Sequence, residues 1–242
     1  MSKHITMAGW DHAPHLGKEE QAEMLQSCEP YLRRARSEGI PSLGSGAVYP
    51  IPETDIVVDP IRIPPWFYRV YGMDVGWNYT AVVWAAWDKD ADVVYLYDAY
   101  KREKAEPEIH TAAIKLRNVA DTEWPGVIDP ASRGRSQVDG QQLLQLYRRN
   151  GLKLREADNS VEAGIYAVWS RLSTGRLKIV RGPMTSWLEE YRMYRRDEKG
   201  KIVKIQDHLM DATRYLIMSG LRHAQRLGTT RPINAQSRHY GV

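Results

Sequence analysis

The chain has a single cysteine, Cys28. An internal disulfide and a cysteine-based zinc site are therefore both excluded, and so sparse a thiol content fits a reducing compartment. Long apolar runs are missing as well. None approaches the roughly 20 residues that a transmembrane helix needs, and Met1-Ser-Lys-His-Ile-Thr6 has no apolar stretch of the signal-peptide kind. There is no internal repeat. No Gly-x-x-x-x-Gly-Lys-Ser/Thr sequence occurs, so a phosphate loop of that type is not encoded.

What remains is an ordinary soluble composition: 242 residues, 43% hydrophobic and 26% charged. The length fits one α/β domain with a long N-terminal extension. The net charge of +4 says little, but its distribution says more. Residues 131–206 carry 16 Lys and Arg against 8 Asp and Glu, whereas the remainder carries 18 against 22. A basic stretch in an otherwise acidic chain points to a polyanionic partner, with a merely solvated surface as the plainer alternative.

Residues 1 to about 66 lack a strong core pattern. Lys18–Ser37 reads as a helix that Pro30 must kink or split. Gly39 to Gly46 is rich in turn residues, and Pro50, Pro52, Pro60, Pro64 and Pro65 mark an extended lead-in. From Tyr68 the pattern sharpens. Tyr68–Val75, Thr80–Trp87 and Val93–Tyr100 are rich in Val, Tyr and Trp and are expected as strands, the last two joined at Asp88-Lys-Asp-Ala-Asp92. Pro107–Asn118 has helical spacing. Gly126–Ile128 is a short strand that ends at Asp129. Gln137–Asn150 and Val161–Leu172 read as helices, Leu152–Arg155 and Leu177–Val180 as strands. Trp187–Gln206 reads as a helix followed by a hairpin about Lys199-Gly200. The last helix is expected from about Asp207 to Leu221, and residues 228–242 as a mobile tail. Three antiparallel strands followed by alternating helices and short strands describe an α/β domain with a mixed sheet flanked by helices, in a ribonuclease-H-like order.

Three carboxylates stand out. Asp74 lies inside the first strand, where an unpaired charge is costly; Asp129 follows Gly-Val-Ile, at the carboxyl end of a strand, where such sheets gather functional residues; Asp211 lies in the last helix, beside its apolar face. Their spacing is too long for a local calcium loop, so they meet only by folding. Carboxylates suit Mg²⁺ or Mn²⁺, and phosphodiester hydrolysis by paired ions needs such a set. Each has a plainer reading: Asp74 capping a turn at Gly76, Asp129 starting a turn at Pro130, Asp211 pairing with Arg214 along its helix. Asp207 reads as the N-cap of the last helix or as a helper to the metal site. His208 is open between a ligand, a proton carrier and a polar residue of the first turn.

Tyr71-Gly-Met-Asp-Val-Gly-Trp77, Val127-Ile-Asp129 and Asp207-His-Leu-Met-Asp-Ala-Thr-Arg-Tyr215 resemble the three acidic motifs of the nuclease domain of tailed-bacteriophage large terminase subunits. Gly39-Ile-Pro-Ser-Leu-Gly-Ser-Gly-Ala-Val-Tyr-Pro50 resembles the segment entering that domain, and Tyr191-Arg-Met-Tyr-Arg-Arg-Asp-Glu-Lys-Gly-Lys-Ile-Val203 the hairpin before the last motif. The resemblance runs from about residue 7 to 220. It implies a ribonuclease-H-like endonuclease that cuts concatemeric viral double-stranded DNA during genome packaging. It also implies two Mg²⁺ or Mn²⁺ ions on Asp74, Asp129 and Asp211, with Asp207 or His208 helping. The partners it implies are the terminase ATPase domain, the small terminase subunit and the portal protein. The expected location is the host cytoplasm, away from any membrane and from the mature virion. Met7-Ala-Gly-Trp-Asp-His-Ala-Pro-His-Leu16 resembles the segment after the motor domain, so the expected division is 1–66 as extension, 67–227 as nuclease domain and 228–242 as tail. The chain then reads as the nuclease region alone, without translocation.

Arg133, Arg135, Arg192, Arg195, Arg196, Lys199, Lys201 and Lys204 are the candidate contacts to DNA phosphates, with Tyr191 and Tyr194 available for stacking. Two competing readings remain. One is a non-catalytic DNA-binding or docking module on the same fold. The other is an ATPase of the actin or sugar-kinase type, since Asp74-Val-Gly-Trp-Asn-Tyr-Thr80 resembles its first phosphate loop. No second Asp-x-Gly-x-Thr loop follows, because Asp129 precedes Pro-Ala-Ser, and a shared fold does not carry activity with it.

Overall fold

The computed structural model describes residues 9–13, 15–26, 37, 46–76, 78–118, 122–133, 143–197 and 199–227. The elements in chain order are α1 (Lys18–Gln26), α2 (Glu53–Ile56), β1 (Val57–Val58), β2 (Tyr68–Val75), β3 (Tyr79–Asp88) and β4 (Val93–Glu103). They continue with α3 (Pro107–Lys115), β5 (Gly126–Ile128), α4 (Leu143–Arg149), β6 (Leu154–Glu156), α5 (Val161–Ser173), β7 (Leu177–Val180), α6 (Thr185–Met193) and α7 (His208–Tyr215). A π turn, Leu216–Gly220, extends α7.

The strands form one mixed seven-stranded sheet in the order β1-β7-β4-β3-β2-β5-β6. β2, β3 and β4 are antiparallel neighbours, whereas β5 runs parallel to β2 and β6 parallel to β5. This is the mixed α/β architecture that the order of elements predicts. The long strands are where they are because β-branched and aromatic residues suit a pleated surface packed on both sides. The hairpin turn is held by Asp88, whose Oδ1 accepts the backbone N–H groups of Asp90 and Ala91.

Alternation along β2 sends its side chains to two cores. Tyr71, Met73 and Val75 join Trp84, Ile114, Leu144 and Tyr147 on one face. Val70 joins Val83, Ile165, Val168, Trp187 and Leu209 on the other. Asp74 has the parity of Val70 and so belongs to the face that α7 covers. Gly72 shares that face, and a Cβ there would collide with the Ala212 carbonyl oxygen and with Leu216 Cβ. The missing side chain lets α7 rest directly on β2.

Two regions differ from expectation. The proline-marked lead-in is packed into the core rather than merely extended: Val48, Tyr49 and Ile56 are buried, and β1 pairs in parallel with β7. Tyr191 and Tyr194, expected as stacking platforms for bases, are core residues at 1% and 2% exposure. Tyr49 lies against both rings, and the Tyr191 hydroxyl donates to the Ile51 carbonyl at 2.8 Å. The lead-in thus covers what looked like an open aromatic surface. The expected helix Lys18–Ser37 is seen as α1; residues 27–36 lie outside the described residues, as do 39–45, 134–142 and 228–242.

Candidate active site

Strand register brings the first two carboxylates side by side. Met73 of β2 is opposite Ile128 of β5, and the backbone N–H of Asp129 donates to the Met73 carbonyl at 3.0 Å. Asp74 and Asp129 therefore sit at the carboxyl ends of two adjacent parallel strands. α7 crosses above them and contributes Asp211 in its first turn. Asp74, Asp129, Asp207 and Asp211 are all buried, with exposures of 6–8%.

Their mutual proximity is visible in the field they generate. The Asp74 carboxyl is pushed up by burial, pulled back by its hydrogen bond to His208, and pushed up again by the charges of Asp211 and Asp129. The Tyr215 hydroxyl is raised first by burial and then by Asp129, Asp74 and Asp211. One phenol thus senses all three carboxylates.

Each carboxylate has its own partner. His208 Nδ1 donates to Asp74 Oδ2 at 2.9 Å, and that bond is the leading reason the imidazole's pKa is raised. The His208 ring also packs on Tyr79, centroid to centroid at 5.1 Å. Asp129 Oδ1 accepts the Ala131 N–H at 3.0 Å, so the turn at Pro130 is formed as that plainer reading expected. Asp211 Oδ1 accepts from Arg214 Nη2 at 3.0 Å, and Asp211 Oδ2 from Lys204 Nζ at 3.1 Å. Arg214 is only 1% exposed and is also held by Asn159 Oδ1, which accepts from Nη1 and Nη2, each at 3.2 Å.

Asp207 occupies the N-cap position of α7, but its side chain makes no capping bond. The cap comes from a different helix. Glu190 of α6 accepts the Leu209 N–H at Oε2, 2.6 Å away, while its Oε1 accepts from Lys101 Nζ at 2.6 Å. With that N–H already satisfied, Asp207 is released toward the acidic cluster. Its Oδ2 is buried and is paired with the Lys204 ammonium, whose Nζ lies 2.9 Å away.

Glu190, Asn159 and Lys101 escaped the sequence reading. The signal for Glu190 was present: Trp187, Glu190 and Tyr191 recur at i, i+3 and i+4 on the buried face of α6, and an acid on such a stripe requires a partner.

The donor set is all oxygen, the kind Mg²⁺ and Mn²⁺ prefer. The buried Oδ2 of Asp207 faces the Lys204 ammonium at 2.9 Å, so a metal cation could take the place of that ammonium. The residues therefore fit such an ion. Among the described residues, no three His, Cys, Asp or Glu side chains are already gathered as a metal cage. The ammonium of Lys204 and the guanidinium of Arg214 hold the oxygens of Asp211 together with one of Asp207.

The candidate phosphate contacts divide. Arg192 makes a two-pronged pair with Glu53 at 2.6 and 2.8 Å, and Arg196 another with Glu162 at 3.0 and 2.6 Å. Lys204 faces the acidic cluster. Arg195, Lys199 and Lys201 are exposed on the hairpin, which Arg196 and Ile202 bridge. Of Arg133 only the backbone is described, in a 3-10 turn, and Arg135 lies outside the described residues. Among the described residues no helix is long and apolar enough to cross a membrane.

Comparison with known proteins gives a consistent result. The terminase RNaseH-like domain family matches residues 71–219. The large terminase subunit of Enterobacteria phage LP7 is 35% identical over 229 residues, covering 91% of this chain and 47% of that protein. The large terminase subunit of Salmonella phage P22 is 35% identical over 222 residues, covering 88% and 43%. The solved P22 large terminase nuclease domain superposes with a TM-score of 0.67 at 34% identity, over 76% of this chain and 97% of that one. The chain thus spans about half the length of the curated relatives it matches, and almost the whole of the solved nuclease domain.

Proposed function

On the premise that the chain belongs to the terminase RNaseH-like domain family, the nuclease domains of phage large terminase subunits, we propose that it is a metal-dependent endonuclease. Its substrate is concatemeric viral double-stranded DNA, cut during genome packaging. The observation that carries this reading is the placement of Asp74 and Asp129 at the ends of two adjacent parallel strands, with Asp211 in the first turn of the helix that covers them. Asp74, Asp129 and Asp211 would hold two Mg²⁺ or Mn²⁺ ions, with Asp207 as a further oxygen donor. Bound there, the ions would supply Lewis-acid stabilisation of the attacking and leaving oxygens.

The protein's own groups set up that chemistry. His208 fixes the rotamer of Asp74 and can hold a proton next to it. Arg214, itself clamped by Asn159, fixes Asp211. Glu190 and Lys101 lock the first turn of α7 onto α6 and β4, so that Asp207, His208 and Asp211 keep their phase. Arg195, Lys199 and Lys201 on the hairpin would meet phosphates. In the packaging assembly, the ATPase domain, the small subunit and the portal are the expected partners, acting in the host cytoplasm.

The test combines cleavage with binding. Supercoiled plasmid is incubated with Mn²⁺, Mg²⁺ or chelator, and Mn²⁺ binding is measured by calorimetry. Nicking that requires metal, together with loss of both cleavage and Mn²⁺ binding in Asp74→Ala, supports the reading. Cleavage that survives chelation or Asp74→Ala overturns it.

A further inference from the structure

A second site lies at the other end of the same strands. The starts of β5 and β6, the end of α4 and the segment after the π turn enclose an open basin of about 650 Å³. Arg148, Lys153, Arg155, Arg222 and His223 line it, and among the described residues no carboxylate does. Arg69 holds the basin's rim to the start of β2 through two backbone hydrogen bonds with Gln225, at 2.7 and 3.0 Å. Asp74 is five residues further along β2, so the basin is about 16 Å from the carboxylates at a strand rise of roughly 3.3 Å per residue. It is a separate place, not an annex of the acidic cluster.

Its cations are set up for an anion. Arg148 spends Nε and Nη2 on the Leu154 carbonyl at 3.1 and 3.0 Å, which fixes the guanidinium plane. Among the described residues it pairs with no carboxylate. Lys153 has only a loose, exposed contact with Glu123 at 3.7 Å. The imidazole of His223 is held below its ordinary pKa by partial burial and then by Arg155 and Arg222, which lie close to it. The contrast with the hairpin is instructive. There Arg192 and Arg196 are already held in two-pronged pairs by Glu53 and Glu162, whereas Arg148, Lys153, Arg155 and Arg222 are exposed and, among the described residues, none makes such a pair. Packing like charges together costs stability, and a bound anion relieves that cost.

We propose that this basin binds phosphate groups, carried either by a DNA backbone away from the cutting site or by a free molecule of nucleotide size. The volume exceeds what one phosphate needs and suits a nucleotide or a short stretch of backbone. The DNA source rests on the proposed nuclease function; the free source does not.

The experiment uses chelator-treated protein carrying Asp74→Ala, so that the acidic cluster contributes no metal-dependent binding. The His223 ring is followed by NMR during titration with inorganic pyrophosphate and, separately, with a short DNA duplex. Duplex affinity is measured against salt for this protein and for Arg155→Ala/Arg222→Ala on the same background. A shift at His223 with the duplex alone identifies the backbone as the source, and a shift with pyrophosphate alone identifies the free molecule. For the backbone, the double variant weakens duplex binding by about tenfold and lowers the log–log salt slope by about two, close to 0.9 for each phosphate no longer neutralised. If the double variant does not fold, Lys153→Ala takes its place with a slope change of about one. An unmoved His223 with both probes overturns the proposal. So does a duplex-induced shift with unchanged affinity and salt slope in a folded variant. Either result leaves metal-dependent cleavage by the unmodified chain untouched, so the two readings fail separately.

Discussion

Glu190 caps a helix that is not its own: its Oε2 takes the backbone N–H of Leu209 at 2.6 Å, nineteen residues along the chain. Because α7 carries Asp211, the phase of that carboxylate depends on an acid in α6.

Replacing Glu190 with Ala removes the cap and strands the Lys101 ammonium. Breaking a buried pair costs about 3 kcal/mol or more, and a lost cap adds about 1 kcal/mol. For a chain of this size, each kcal/mol shifts Tm by about 2–4 °C. Thermal unfolding of Glu190→Ala should therefore fall by about 8 °C or more, and a Tm within a degree or two of the parent would contradict the role assigned to Glu190. Glu190→Gln keeps an acceptor for Leu209 and should lose less.

Lys204→Ala should act in the opposite sense on metal. Its ammonium is shared between Asp207 and Asp211 and is largely exposed, so its removal changes stability by no more than about 1 kcal/mol. Freed of that competitor, the carboxylates should bind Mn²⁺ several-fold more tightly in calorimetry. An unchanged or weakened affinity would show that Lys204 does not compete for those oxygens.

Gly72→Ala tests the seat of α7. The added Cβ meets a main-chain carbonyl, which cannot swing aside like a side chain. Overpacking of this kind costs about 1–3 kcal/mol, or more when backbone must move. A clear drop in the denaturation midpoint is expected, accompanied by a change in the fluorescence of Trp187, whose indole donates to Thr213 of α7 at 2.8 Å.

His110 supplies the pH dependence. It is 2% exposed, with Nδ1 2.9 Å from the Tyr100 hydroxyl, and burial holds its pKa below 6.5. A histidine depressed in the folded state favours folding above its unfolded pKa, and that stability is lost as pH falls through the folded value. The parent should lose stability on acidification from pH 6.5 more steeply than His110→Gln, as measured by urea unfolding across that range. Equal slopes would refute the assignment.

Legibility in the sequence followed the range of the interactions. β2, β3 and β4 were plain because strand pattern and turn chemistry are local: Asp88 ties its own turn. Asp74 and Asp129 were found because each ends or interrupts an apolar strand, which is a local anomaly. β1 is two residues among prolines, and its partner strand, β7, lies more than a hundred residues away. Asp207 looked like a cap because caps are usually local, yet the acceptor came from Glu190. Tyr191 and Tyr194 looked exposed because Tyr49, which covers them, is supplied by the lead-in. The polyanion partner was inferred from summed charge; which cations are already spent on Glu53 and Glu162 is decided only by the fold.

One consequence of the topology concerns time rather than space. α7 follows every strand of the sheet in the chain, so a ribosome has made the whole sheet before Asp211 exists. On the proposed roles, a growing or prematurely ended polypeptide holds Asp74 and Asp129 without their third partner. On those roles the site is complete only once synthesis has passed the last helix.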